Sequence, residues 1–422
     1  MKYKINTLKN GLRVLTVPMK DNPTANVLIL VETGSKYEDK KVNGISHFLE
    51  HMFFKGTTKR PKAIDISREL DSIGSQYNAF TSYEYTGYYA KSSAKNFKKI
   101  FDIVSDIYLN STLPVAEIEK EKGVIIEEMN MYKDMPNIFV QDIFMKLLYG
   151  DQPAGWSILG EKENILAMKQ DDFVEYKKLH YVPEATLFVV AGNVTTKDVL
   201  IEAQKVFGQM PKSKKGTKKK TIDTQQKPAV LMHYKDTDQA HFILGFRSYD
   251  LFNKRDYAIT ILSTILGGGM SSRLFEKLRE EMGVGYYVNA YNDTSTDHGS
   301  FQISAGVDKG RLKEVIQVVL EECKKILENG VPEEEVKKAQ EYLIGNMKLS
   351  LESSSSLASF YGQQELFREK IRTPEEKAKA LRMITNKDVQ KVAKEIFQNT
   401  KLNLAIVGPF KDEGEFLKIL KV

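Results

Sequence analysis

Across 422 residues the chain has a single cysteine, Cys323. One thiol cannot build an internal disulfide framework, and its scarcity fits a reducing, cytoplasmic compartment. Cys323 falls in a helical pattern and reads as a small core filler. Long apolar runs are also missing. No stretch approaches the ~20 residues needed to cross a bilayer, so no membrane span or membrane partner is expected. The segment from Met1 to Pro18 mixes Lys, Asn and Thr into its apolar residues. It lacks the continuous apolar centre of a secretory leader, and none is expected. A broad basic field is absent too, although the net charge is +6. Pro211 to Pro228 holds seven Lys and one Asp, so the rest of the chain balances to zero. No extended basic surface remains to track phosphates, and a nucleic-acid partner is not expected.

What is present describes a globular protein, 41% hydrophobic and 28% charged. The length exceeds one ordinary core and implies two or more domains. Tyr3 to Val17 alternates around Asn10-Gly11 as a hairpin, and Asn26 to Thr33 reads as a central strand. Ser75 to Ser82 and Tyr85 to Lys91 read as two antiparallel strands. Helical spacing covers Lys62 to Ile73, Ala94 to Asn110, Pro114 to about Asp134, and Asn137 to Tyr149. After the Lys-rich stretch a similar order recurs, with long helices from Lys309 to about Arg368. The two halves also end alike. A helix opening Asp171-Asp172-Phe173-Val174 leads to Leu187 to Gly192, and one opening Lys387-Asp388-Val389 leads to Leu402 to Gly408. This predicts two homologous domains, residues 1–210 and 229–422, joined by an exposed linker at 211–228.

Histidine is scarce, with six in all, yet two of them stand four apart in His47-Phe48-Leu49-Glu50-His51. Asn43 can cap a helix there, and Gly56 can close it. Positions four apart share one helix face, so both imidazoles can meet one metal ion. Glu50 sits beside them, in reach of a water at the metal. This is the zinc-protease helix in inverted order, H-x-x-E-H. A solvated helix edge is the plainer reading of two His, but it does not account for the Glu between them.

Two His are too few for zinc, which needs a third protein ligand and an open position. The segment Glu117 to Asn130 is acidic and helical. Glu121 and Glu128 are nearly two turns apart and share a face, while Glu127 points about 100° away. Val124, Ile125 and Met129 supply its expected packing surface. One carboxylate of the pair could ligate while another orients a ligand.

These features resemble the pitrilysin and mitochondrial processing peptidase family of zinc proteases, in its short bacterial form. The family's Glu ligand follows the inverted motif by about 75 residues, with another Glu seven residues before it. The resemblance therefore implies His47, His51 and Glu128 as ligands of one Zn²⁺ per chain, Glu50 as general base and Glu121 as supporting carboxylate. Glu127 is the alternative ligand. Further matches are Asn78-Ala79-Phe80-Thr81, the family's substrate-pairing edge strand, the loop at Leu159-Gly160, and Leu266 to Phe275. Arg279 and Tyr286 match a pair that reaches the substrate from the second half. The plainer reading of Tyr286 is a core strand aromatic.

The implied fold is α+β, two homologous domains, each a mostly antiparallel sheet with helices packed on one face. The implied activity is endopeptidase cleavage of an extended peptide in a chamber closed by two chains, a homodimer or a heterodimer with a homologous chain. The alternative is a non-catalytic partner subunit of a heteromeric peptidase.

Overall fold

The computed structural model describes residues 3–367 and 370–422. The expected helix end at Arg368 lies outside the described residues. Within them the chain forms two compact units, each built on one mostly antiparallel sheet. The class is α+β, as read from the sequence.

The first sheet has six strands: β1 (Lys4–Thr7), β2 (Arg13–Pro18), β3 (Thr24–Val31), β4 (Gln76–Thr81), β5 (Thr86–Ser93) and β6 (Thr186–Gly192). Their order is β1-β2-β6-β3-β5-β4, and only the β2–β6 pair is parallel. The connection between β3 and β4 carries α1 (Ile45–Phe53) and α2 (Ala63–Asp71). Helices α3 (Phe97–Asn110), α4 (Val115–Asp134) and α5 (Pro136–Tyr149) follow. One sheet face presents Val14, Val27, Ile29, Tyr88 and Val190 to a core that also contains Phe48, Leu49 and Phe53 of α1. The motif helix is thus anchored by its own apolar residues, leaving its His face free.

The second sheet has five strands: β7 (Ala229–Tyr234), β8 (Gln239–Ser248), β9 (Gly285–Thr294), β10 (Gly299–Asp308) and β11 (Leu402–Gly408). Their order is β7-β11-β8-β10-β9, with only β7–β11 parallel. The helix Asp256–Gly267, which corresponds to α1, contains no His.

The units are not the contiguous halves 1–210 and 229–422. The first comprises 1–129, 157–219 and 348–373, and the second takes the remainder. The break after residue 219 falls inside the Lys-rich stretch. Most helices pack on one face of their sheet, as expected, but the opposite face is not bare. In the first unit it is covered by the helix Ser354–Leu366, from late in the chain. Gly362 lets that helix approach closely: a Cβ there would lie 2.9 Å from Leu30 Cδ1 and 3.2 Å from Val189 Cγ2. In the second unit α5, from the early half, takes the same role. There Phe144 lies over Gly245, where a Cβ would come within 2.5 Å of its ring.

Candidate active site

Helix α1 begins at Gly44, whose φ of 101° favours glycine. A Cβ at Gly44 would lie 2.7 Å from Leu159 O, so the Leu159-Gly160 loop seats directly on the helix start. Asn43 is not the cap that its sequence position suggests. Its amide donates to Glu38 Oε2 at 2.9 Å and to Ser157 O at 3.1 Å. Glu38 does the capping from outside the helix. Its carboxylate accepts from the backbone N–H of Gly44 and of Ser46, each at 2.8 Å. Those N–H groups lack intrahelical partners, and an anion there is favoured.

Burial works against that anion and pushes the Glu38 carboxyl up to about 7 from an ordinary 4.5, despite the lowering pull of Gly44, Ser46 and Asn43. Because the folded state holds the neutral carboxyl more readily than the unfolded chain does, the contribution of Glu38 to stability is full below 4.5 and is lost as pH rises through about 7. The stability advantage of the natural protein over Glu38→Gln should therefore be smaller at pH 8 than at pH 4.5, by about 3 kcal/mol. Urea unfolding at the two pH values checks it.

On the free face of α1, His47 Nε2 and His51 Nε2 lie 3.2 Å apart. Glu128 Oε2, on α4, lies 3.6 Å from the first and 3.5 Å from the second. Three donors bound to one tetrahedral zinc at 2.0–2.1 Å would be about 3.4 Å apart. The triangle therefore fits zinc in both size and donor chemistry. His47 is kept neutral, its pKa pushed down to about 3 by burial and by His51. A neutral imidazole is the form that ligates.

The second carboxylate of α4 approaches from the far side of His51. Glu121 Oε1 lies 2.8 Å from His51 Nδ1, and Glu121 Oε2 lies 2.5 Å from Lys55 Nζ. Burial raises the Glu121 carboxyl, but His51 and Lys55 outweigh it and hold it below the usual range. An ionised Glu121 accepts a hydrogen bond from His51 Nδ1–H and so leaves the Nε2 lone pair facing the triangle. Lys55 carries no signal of this role in the sequence, lying four residues after His51 and just past the end of α1. Glu121→Gln should weaken zinc affinity by about 10–100-fold without unfolding the protein. Competition with a calibrated chelator measures this.

Glu127 points away into solvent. Helix α4 packs through Ile118, Ile125 and Met129, whereas Val124, expected to pack, is 51% exposed. It precedes Ile125 by one residue, about 100° around the helix.

Glu50 lies on the same helix between the two His. Burial raises its carboxyl above the ordinary value, opposed by the hydroxyl of Thr81, which donates to Glu50 Oε2. Thr81 ends β4, the free edge of the first sheet. Along β4, Tyr77 and Ala79 pack toward the core that holds α1, as the alternation of a strand requires. Asn78 and Phe80 occupy the other face.

Arg279 and Tyr286 belong to the second unit. Arg279 Nη1 donates to Gly285 O at 2.9 Å, bracing the start of β9. Tyr286, the next residue, is 67% exposed and is therefore not a core aromatic.

Residues 13–162 match the family described as Insulinase (Peptidase family M16), and residues 167–343 match the Peptidase M16 inactive domain. An uncharacterized zinc protease of Bacillus subtilis is 35% identical over 408 residues, covering 96% of this chain and 97% of the relative. One from Mycobacterium leprae is 32% identical over 419 residues, covering 99% and 94%. Among solved structures, a protease from Helicobacter pylori aligns with a TM-score of 0.89 at 25% identity, covering 97% of this chain and 99% of that one. A peptidase M16 inactive domain from Pseudomonas fluorescens has the same fold, with a TM-score of 0.89 at 17% identity over 97% and 99% of the two chains.

Proposed function

Because the chain belongs to the M16 peptidase family, we propose that it is a zinc-dependent endopeptidase acting on peptides or unfolded polypeptide segments. The observation that carries this reading is the triangle of His47, His51 and Glu128 donors with Glu50 beside it. His47, His51 and Glu128 hold one zinc per chain, and the absence of His from the corresponding helix of the second half supports that number. Bound there, zinc supplies a Lewis acid that polarises the scissile carbonyl and acidifies water.

The chain's own residues do the rest. The open edge of β4 pairs with the substrate backbone through Asn78, Ala79, Phe80 and Thr81 and holds it extended. Glu50 takes the proton of the attacking water and returns it to the leaving amine. Thr81 fixes one Glu50 oxygen and leaves the other for the proton. Glu121, braced by Lys55, keeps His51 in the ligating tautomer. Arg279 and Tyr286 donate to the developing oxyanion or to a substrate carbonyl. The working form is a homodimer that closes a chamber around the peptide.

The partner-subunit alternative is less well supported, because all five positions of the inverted motif are present. Among the described residues no helix is long and apolar enough to cross a membrane. The purified protein should cleave mixed unstructured peptides, lose that activity to a chelator and regain it with zinc. Activity indifferent to both would sink the reading, and size measurement on the active sample tests the dimer.

A further inference from the structure

The face of β4 turned away from α1 borders an open cavity of about 530 Å³, lined by residues of the first unit. Its size falls in the range of ligand pockets, about 300–1,000 Å³. The floor is set by strand register. Asn26 of β3, Lys91 of β5 and Gln76 of β4 lie side by side in one row. Two rows further on, Phe80 stands opposite Gly87. A Cβ at Gly87 would meet the Phe80 ring at 2.2–2.8 Å, so the ring lies flat over that glycine and forms one wall. The roof is the helix Ser354–Leu366, which presents Ser355, Ser356 and Ser359.

Two features give the cavity its chemistry. Among the described residues Lys91 is the only charged one that lines it, and neither Asp nor Glu contributes to the wall. Among the described residues Lys91 makes no ion pair, although it is half-buried. With no ion-pair partner of its own, the Lys91 ammonium is available to a carboxylate entering the cavity. The other polar groups are amides and hydroxyls, which can donate to a carboxylate as well as accept, and the side-chain oxygen of Asn26 is a buried acceptor without a partner among the described residues. Leu28 and Phe80 give an apolar surface for a short methylene stem.

We infer that this cavity is a specificity subsite for an acidic side chain of the peptide substrate, with Lys91 as its charge partner. The inference rests on the peptide-pairing role proposed for β4. A strand added to that edge projects alternate side chains to opposite faces. One set faces the side where Thr81 touches Glu50, and the other faces this cavity. The cavity runs from Phe80 toward Gln76, away from Thr81. It therefore reads a side chain displaced along the peptide from the bond being cut. A glutamate has the reach and the apolar stem that the pocket accommodates.

Peptides identical except for Glu, Gln or Lys at each position in turn test this. Affinity is measured on zinc-loaded Glu50→Gln protein, and turnover on the unsubstituted protein. At one position Glu should bind about tenfold more tightly than Gln, and Lys more weakly than both. Lys91→Met, which keeps much of the stem, should abolish the difference, and Lys91→Glu should invert it in favour of Lys. Zinc content and circular dichroism check that both variants are folded. Equal binding of the three peptides at every position overturns the inference, as does a preference unmoved by Lys91→Glu. The two readings fail separately. Glu-selective binding without turnover upholds the subsite and defeats the peptidase reading. Turnover without Glu selectivity does the reverse.

Discussion

Glu50→Gln should lower kcat on any cleavable peptide by about 10²–10⁴-fold while leaving zinc content unchanged. The expectation follows from where Glu50 stands. It is on the same helix as His47 and His51 but outside the triangle of ligating atoms. Its hydrogen bond is to Thr81 of the edge strand β4. Gln keeps the shape and can still accept from the Thr81 hydroxyl, but it cannot take a proton from water. The loss should therefore appear in kcat, with KM little changed. Metal analysis beside steady-state kinetics separates this from a binding defect. A fully active Glu50→Gln protein would contradict the proposed base.

Glu128→Gln should act on the metal itself. Removing the carboxylate leaves two imidazoles, one protein ligand short of the three used by catalytic zinc sites. Zinc affinity should fall by at least about 100-fold, more than for Glu121→Gln, which only orients a ligand. Activity should fall with it and be partly restored by excess zinc. The fold should survive, because α4 is held by Ile118, Ile125 and Met129. Glu127→Gln is the matched control, since Glu127 is exposed and outside the triangle. Equal zinc loss in both variants would contradict the assignment.

The candidate triad of His47, His51 and Glu128 was partly legible in sequence: helical spacing paired the residues, and the family resemblance chose Glu128. A separation of four from His47 to His51, and of seven from Glu121 to Glu128, each fixes a shared face. Spacing does not say which of two carboxylates ligates. In the structure Glu121 meets Nδ1 of His51 while Glu128 meets both Nε2 atoms. Glu38 was not legible. It lies six residues before the Gly44 N–H it caps, beyond an irregular stretch, so no helical period ties it to α1. The strands and most helices followed from apolar periodicity. The exchange of α5 and Ser354–Leu366 between units did not, because an apolar stripe records that a face is buried without recording which sheet buries it. Arg279 and Tyr286 carry no periodic signal of function. The structure shows only that Tyr286 is exposed and not a core aromatic.

The most direct test is a crystal of Glu50→Gln protein grown with zinc and a bound peptide, with anomalous scattering recorded at the zinc edge. The account predicts one strong peak per chain, bounded by His47 Nε2, His51 Nε2 and a Glu128 oxygen. It also predicts the peptide paired along β4 with a carbonyl directed at that peak. An ion bound elsewhere, no peak at those three atoms, or a peptide lying off the β4 edge would contradict it.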